Sequence, residues 1–301
     1  MTPLVIGVNP NENMMREDNP HVPWTPGEIA RDVAACASAG ATVVHYHART
    51  GDGAPDHSAG RYAETNRLIR QRCDVLLAPS LANGPGFPLE RRLAPVTAAD
   101  PLARPDFLTM DMGCAIMDLW DPAHVRFRTE DKVFVNDTAT HRALFACARR
   151  YGLTPWLASF TVGWTRTIAA HLAAGEVPGP AVLQFVLGGP EFLPAHPATL
   201  AGLRAHLEFL PRHDDLAWIV SAHRADVLEL AEEIVRLGGH IAVGVGDHPH
   251  TARGCPTNAE LVEYVAAVAR KAGRAIATPD EARRILGVRT PERSWFHARG
   301  R

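Results

Sequence analysis

Eight short apolar runs separated by segments of helical period constrain this chain more than any other feature. The runs are LVIGV (4–8), TVVHYH (42–47), DVLLAPS (74–80), DFLTMD (106–111), PWLASFT (155–161), AVLQFVL (181–187), LAWIVSAH (216–223) and HIAVGVGD (240–247). Their apolarity is continuous rather than alternating, which predicts strands covered on both faces and therefore a parallel sheet. Helical patterns lie between most of them. Residues 25–40 begin with Thr25 as N-cap, Pro26 at the first helical position and Glu28 at the third, and end at Gly40. Residues 141–152 and 224–239 also read as helices, the latter with an apolar stripe of Val227, Leu228, Leu230, Ile234, Val235 and Leu237.

Eight such units predict an α/β fold of the (β/α)8 TIM-barrel type rather than an open doubly wound sheet. A dinucleotide fold needs G-x-G-x-x-G after the first strand, where residues 9–14 read NPNENM. There is no P-loop, and the paired glycines of GVGDHP (244–249) follow the last strand and run into prolines. Pro-rich stretches at 19–26, 85–105 and 177–199 read as connecting loops, not linkers. Residues 1–301 are therefore expected to form one barrel domain, with a C-terminal helical extension at about 257–287.

A net charge of -2, without a run of five like charges, argues against nucleic acid or a membrane surface as partner. Five scattered cysteines with no C-x-x-C spacing point to a reduced, cytoplasmic protein rather than a disulfide framework or a thiolate zinc site. The N-terminus lacks a basic region followed by a long apolar stretch, and no run reaches the roughly 18 apolar residues of a membrane span. The expected partners are small molecules.

In a barrel, chemistry gathers at the C-terminal ends of the strands. Those ends carry Asn9 and Asn11, His45 and His47, Ser80, Asp111, Ser159 and Thr161, Gln184, Ser221 and His223, and Asp247 with His248. On a strand, residues i and i+2 share a face, so His45 and His47 point inward together while Tyr46 points to the helices. Two imidazoles so placed are a candidate clamp for Zn2+, the alternative being two rim histidines bonded to carboxylates. A catalytic zinc needs a third ligand, for which Asp247, His248, His223 and Asp111 are the candidates. His57 and His250 read as solvated loop histidines. Arg49 is suited either to an anionic substrate or to a local acid, and Ser80, outside any G-x-S-x-G context, to hydrogen bonding a ligand carbonyl.

The chain resembles the β-keto acid cleavage enzymes, which include 3-keto-5-aminohexanoate cleavage enzyme. The resemblance rests on REDNPHVPWTPGEIA (16–30), GATVVHYHARTGDG (40–53), RRLAPV (91–96), LQFVLGGP (183–190), LGGHIAVGVGD (237–247) and the tail from PTNAELV to RRILG (256–287). It implies a TIM barrel, a homotetramer and bound Zn2+. It also implies a reaction in which a β-keto acid and acetyl-CoA yield acetoacetate and a new acyl-CoA. His45 and His47 match the family's metal-binding histidines, Ser80 a serine that contacts the keto acid, and Asp247 the aspartate that deprotonates substrate.

The match then breaks. The family text around that aspartate reads Arg-Val-Gly-Leu-Glu-Asp-Asn, its glutamate being the third zinc ligand and its arginine the partner of the aspartate. Here the stretch is Ala242-Val243-Gly244-Val245-Gly246-Asp247-His248. A carboxylate associated with recognising the substrate amino group is also missing, with Asn13 near its place, so the amino-keto acid is not the expected substrate. Glu12 and His223 are possible replacement acid/base or ligand groups.

The expected activity is a zinc-dependent cleavage of a β-keto acid. His45 and His47 hold the metal, Asp247 with His248 acts as base, and Ser80, Thr109 and Arg49 bind the substrate, with acetyl-CoA as co-substrate. The alternatives are a CoA-independent metal-dependent lyase or hydrolase of an oxo-carboxylate, and a non-catalytic metal- or ligand-binding relative.

Overall fold

The computed structural model describes residues 1–81, 87–97, 100 and 102–288. Eight parallel strands form one nearly closed barrel: β1 (Ile6–Val8), β2 (Val43–Val44), β3 (Leu76–Leu77), β4 (Phe107–Asp111), β9 (Thr154–Ser159), β10 (Ala181–Gly188), β11 (Leu216–His223) and β12 (His240–Val243). The order around the sheet is β3-β2-β1-β12-β11-β10-β9-β4. Between β3 and β4 the Asp106 amide donates to the Leu77 carbonyl at 2.9 Å and the Leu77 amide to Asp106 Oδ2 at 2.7 Å, which draws the barrel shut. All eight expected strands are present. The first three are shorter as regular ladders, although single backbone hydrogen bonds, such as the Ala78 amide donating to the Val44 carbonyl and the Ser80 amide to the Tyr46 carbonyl, carry the pairing further.

The ring of helices is α1 (Pro26–Ala39), α2 (Ala59–Arg70), α3 (Leu89–Leu93), α4 (Thr138–Tyr151), α5 (Val162–Ala173), α6 (Leu200–Glu208), α7 (Ala231–Arg236), α8 (Asn258–Lys271) and α9 (Pro279–Leu286). Helix α1 has the expected boundaries: Thr25 and Glu28 form a capping box, and Gly40 closes the helix at φ 117, a conformation glycine adopts without a Cβ clash. The segment read as one helix over 224–239 instead opens with a 3-10 turn, Val227–Leu230, capped by Asp226, before α7. Helix α8, expected in a C-terminal extension, packs on α1 and against β1, and so completes the barrel's own ring. Helix α9 buries Ala282 and Leu286 against Val5, Leu76, Phe107 and Ile219, plugging the end of the barrel opposite the site. The expected loop at 85–105 contains α3, while residues 85, 86, 98, 99 and 101 of it lie outside the described residues.

One feature has no counterpart in the sequence reading. After β4 the chain makes two antiparallel ribbons, β5 (Ala115–Ile116) with β8 (Val133–Phe134) and β6 (Trp120–Asp121) with β7 (Arg126–Phe127), before entering α4. These two-residue strands are too short for a period-2 signal to register. They cross the mouth of the barrel, tied to the loop after β10 by the Trp120 amide donating to the Glu191 carbonyl at 3.0 Å.

Candidate active site

A cavity of about 260 Å³ opens at the C-terminal ends of the strands. Its polar wall carries Asn9, Glu12, His45, His47, Ser80 and Thr109, continued by Asp111, Gln184, Ser221, His223 and Asp247.

The histidine pair is held from outside the barrel interior. Asn11 acts as a surrogate strand partner: its Oδ1 accepts the His47 amide at 3.0 Å and its Nδ2 donates to the His47 carbonyl at 2.8 Å. Tyr46 faces away and is fully buried, donating to Asn66 Oδ1 at 2.7 Å. The two rings meet edge to face with centroids 5.5 Å apart. His45 Nδ1 donates to the Ala78 carbonyl at 2.6 Å, which leaves Nε2 to face the cavity.

Between the two imidazoles lies the carboxylate of Glu12, with Oε1 3.1 Å from His45 Nε2 and Oε2 2.7 Å from His47 Nε2. With Nδ1 carrying the proton, a neutral His45 would direct a lone pair at that oxygen. The arrangement therefore requires positive charge between the three groups, either a proton or a cation. Their donor atoms all lie within 4.8 Å of one another, a spacing that fits a divalent ion on two imidazoles and one carboxylate. Burial alone would raise the Glu12 carboxyl, but the imidazoles, His47 foremost, outweigh it and hold Glu12 well below the usual range. Burial would lower His45, and the Glu12 charge reverses this so that its pKa is raised.

Glu12 occupies this place because position 246 has no side chain. A Cβ on Gly246 would stand 2.6 Å from Asn11 C, Asn11 N and Glu12 N, so the loop after β1 fills the space a longer residue would need. The loop is pinned by Arg49, which is 3% exposed and spends its guanidinium on main-chain carbonyls: Asn11 at 2.7 Å, Met14 at 2.6 Å, and Glu12. Glu12 itself sits at φ 30, a left-handed conformation that this clamp holds in place.

Asp247 is also in the cavity. Its Oδ2 accepts from Asn9 Nδ2 at 2.8 Å, so an amide stands where the resemblance implied an arginine. Ala242, at the arginine's position, is buried below the site in an apolar cluster that includes Trp156 and Ile219. Burial and then the neighbouring Glu12 charge push the Asp247 carboxyl well above its ordinary value. Asp111 is raised to about 6 by burial, opposed by Arg92, and His223 is lowered to about 4, again by burial. Ser80 shares a hydrogen bond of 2.7 Å with Tyr62 OH, and Thr109 donates to the Pro79 carbonyl at 2.9 Å; both line the cavity.

Two expected site residues are placed elsewhere. Arg49 lies behind the loop rather than on the cavity wall, its donors consumed by carbonyls. His248, expected beside Asp247 as a catalytic group, turns away because β12 has ended and the chain reverses. Its ring packs on His250 with centroids 4.6 Å apart, and both belong to a separate cluster with Asp226. Asp226 there already binds Arg253 Nε at 2.8 Å. His250 is buried rather than solvated, and His57 is half-buried against Phe87. Arg92, buried and donating to Asn136 Oδ1 at 2.7 Å, lines the cavity and was not singled out from the sequence.

A parallel barrel with two histidines, a glutamate and a buried aspartate converging at its C-terminal face has the arrangement of a TIM-barrel enzyme site. The chain belongs to the family described as beta-keto acid cleavage enzyme, which it matches over residues 3–288. It is 30% identical over 277 residues to the 3-keto-5-aminohexanoate cleavage enzyme of Fusobacterium nucleatum, covering 91% of this chain and 93% of that protein. It is 28% identical over 293 residues to the 3-oxoadipate:acetyl-CoA acetyltransferase of Cupriavidus necator, covering 96% of each. Among solved structures, ObcA in complex with oxaloacetate superposes with a TM-score of 0.68 at 16% identity, over 90% of this chain and 68% of that one, a likeness of fold. No helix among the described residues is long and apolar enough to cross a membrane.

Proposed function

We propose that this protein is a divalent-metal enzyme, with zinc the favoured ion, that cleaves a β-keto acid with acetyl-CoA as co-substrate. The observation that carries the reading is the Glu12 carboxylate seated between His45 Nε2 and His47 Nε2, a donor set that suits a divalent cation. Two imidazoles and a carboxylate with an open side suit catalytic zinc. A bound ion supplies Lewis-acid polarisation of the keto oxygen and a positive field that opposes the upward pull on Asp247.

Asp247 faces the same cavity and takes the proton from the carbon between the keto and carboxylate groups, with Asn9 holding its second role as orienting donor. That carbon then attacks the acetyl thioester carbonyl, and the acetyl C–S bond breaks to release the CoA thiolate. The thiolate attacks the original keto carbon, whose bond to the central carbon breaks to give the new acyl-CoA, and the proton returns to the central carbon. The balance is R-CO-CH2-COO⁻ plus acetyl-CoA giving R-CO-CoA plus acetoacetate, with no net oxidation. Ser80 and Thr109 hydroxyls line the wall where the substrate oxygens lie. The names of the Fusobacterium and Cupriavidus relatives support the keto acid and the acetyl-CoA, respectively. Cytoplasmic location and a homo-oligomer, a tetramer by family likeness, belong to the same reading. The exposed Ile116, Val125, Val133 and Val135 of the mouth ribbons support a surface covered by another copy.

The test is metal content of untagged protein by plasma mass spectrometry, wild type beside H45A/H47A, together with acyl-CoA formation from β-keto acids and acetyl-CoA. Near-stoichiometric metal lost in the double variant is expected. Metal-free wild type would remove the reading. A CoA-independent lyase or hydrolase is a second reading, favoured by the replacement of the family arginine by Ala242. Turnover without acetyl-CoA would select it.

A further inference from the structure

The cavity has two unlike walls. Opposite the metal-ligand side, Phe160 and Val186 from the ends of β9 and β10, Phe192 from the following loop, and Met117 and Phe134 from the mouth ribbons form one apolar surface. This wall is rigid. Phe160 stacks on Trp164 with centroids 4.4 Å apart and meets Phe192 edge to face at 5.6 Å, while Phe192 packs on His223 at 4.7 Å. Phe160 and Phe192 are 8% and 4% exposed, so neither ring has room to swing out and admit water.

Two of the charged groups on the cavity wall have side-chain partners. Glu12 faces two imidazoles and Asp247 accepts from Asn9. Arg92 is the only lysine or arginine among the described lining residues; it donates to Asn136, stands near enough to Asp111 to pull on its carboxyl, and keeps a buried Nε without a partner, outside the apolar wall. The five side chains of the apolar wall carry no charge, so an ammonium or carboxylate seated among them would lose its hydration without compensation.

We propose that the substituent on the keto carbon of the substrate is a short, uncharged hydrocarbon chain, seated against Met117, Phe134, Phe160, Val186 and Phe192. This rests on the reading of the site as a β-keto acid cleavage centre. It distinguishes the chain from a relative named for an amino-substituted acid and from one named for a dicarboxylic acid.

The experiment compares kcat/KM of the full-length, metal-loaded protein for 3-oxohexanoate, 3-oxoadipate and 5-amino-3-oxohexanoate, each with acetyl-CoA, following new acyl-CoA by mass spectrometry. Exchange of isotopic label between acetyl-CoA and acetoacetate runs alongside, because its methyl group needs no recognition. A preference for 3-oxohexanoate of about 100-fold or more over both charged acids is expected. Equal or better use of either charged acid, with exchange intact, overturns the substrate class and leaves the reaction standing. Absence of exchange and of all turnover overturns both. Phe134→Lys, on a partly exposed ribbon position, is expected to move relative kcat/KM toward 3-oxoadipate by at least about tenfold. Phe192→Ala is expected to shift the best alkyl acid to a longer chain. Unchanged selectivity in both variants, with native circular dichroism, counts against the aromatic wall as the recognition surface.

Discussion

Glu12 takes its place beside the two histidines only because residue 246 is glycine. The backbone of Asn11 and Glu12 fills the space where a Cβ on residue 246 would stand, and the Glu12 side chain delivers a carboxylate to His45 and His47 from the opposite edge of the same site. The expected consequence is that Glu12→Gln keeps the fold and lowers metal affinity by at least about 100-fold, since an amide cannot supply the lost charge. Competition with a chromophoric chelator measures this. Gly246→Glu is expected not to rescue Glu12→Gln, because its backbone neighbours must first move apart; full rescue would show that the loop is free to yield.

Arg49 acts on the same carboxylate through the main chain. Its contacts with the carbonyls of Asn11, Glu12 and Met14 have no geometric equivalent for an ammonium group, so Arg49→Lys leaves some carbonyls without a buried partner. Metal affinity is expected to fall about 10- to 100-fold, as for other supports of a ligand, with a loss of about 2–3 kcal/mol in stability. Unchanged chelator competition in a folded Arg49→Lys protein would remove Arg49 from this role.

Asp247→Asn separates chemistry from metal binding. The asparagine is nearly isosteric and can still meet Asn9, yet it accepts no proton. Turnover is expected to drop about 10²- to 10⁴-fold with metal content unchanged. A drop of less than tenfold would assign the proton transfer to another group.

Acid should destabilise the fold through buried neutral histidines. His240 is 4% exposed and accepts the Val5 amide on Nδ1 at 3.0 Å; burial, then the nearby Arg274, lowers its pKa to about 3. His206, fully buried beneath Phe185, is lowered to about 4 by burial and by His196. Both values lie below the ordinary histidine, so the unfolded chain binds more protons over this interval. Stability is complete above about pH 6.5 and falls on acidification, by up to about 1.4 kcal/mol per pH unit for each such group. Thermal melting should show a falling Tm from pH 6.5 to 4, with a shallower slope in His240→Asn. Parallel slopes in the two proteins would mean that His240 is not one of the titrating groups.

The eight apolar runs were enough to specify the barrel, because each strand is buried on both faces and the signal is local. The H-x-H clamp was legible for the same reason: a period of two on one strand puts His45 and His47 on one side wherever the strand lies. Asp247 and Ser80 were singled out by their place at strand ends, and both line the cavity. The carboxylate that meets the pair was not decided by such rules. Glu12 competes in the sequence with Asp111, His223, Asp247 and His248, and only the packing of the loop after β1 against Gly246, with Arg49 behind it, selects it. Arg49 and His248 illustrate the converse. Both flank recognised motifs, yet the direction of each side chain depends on where the strand stops, which hydrogen bonds across the barrel determine. The aromatic wall was equally out of reach, since it joins residues from β9, β10 and the mouth ribbons that are adjacent only when the barrel closes. Periodicity along the chain sets which faces are buried, and close packing between distant segments sets which polar group meets which.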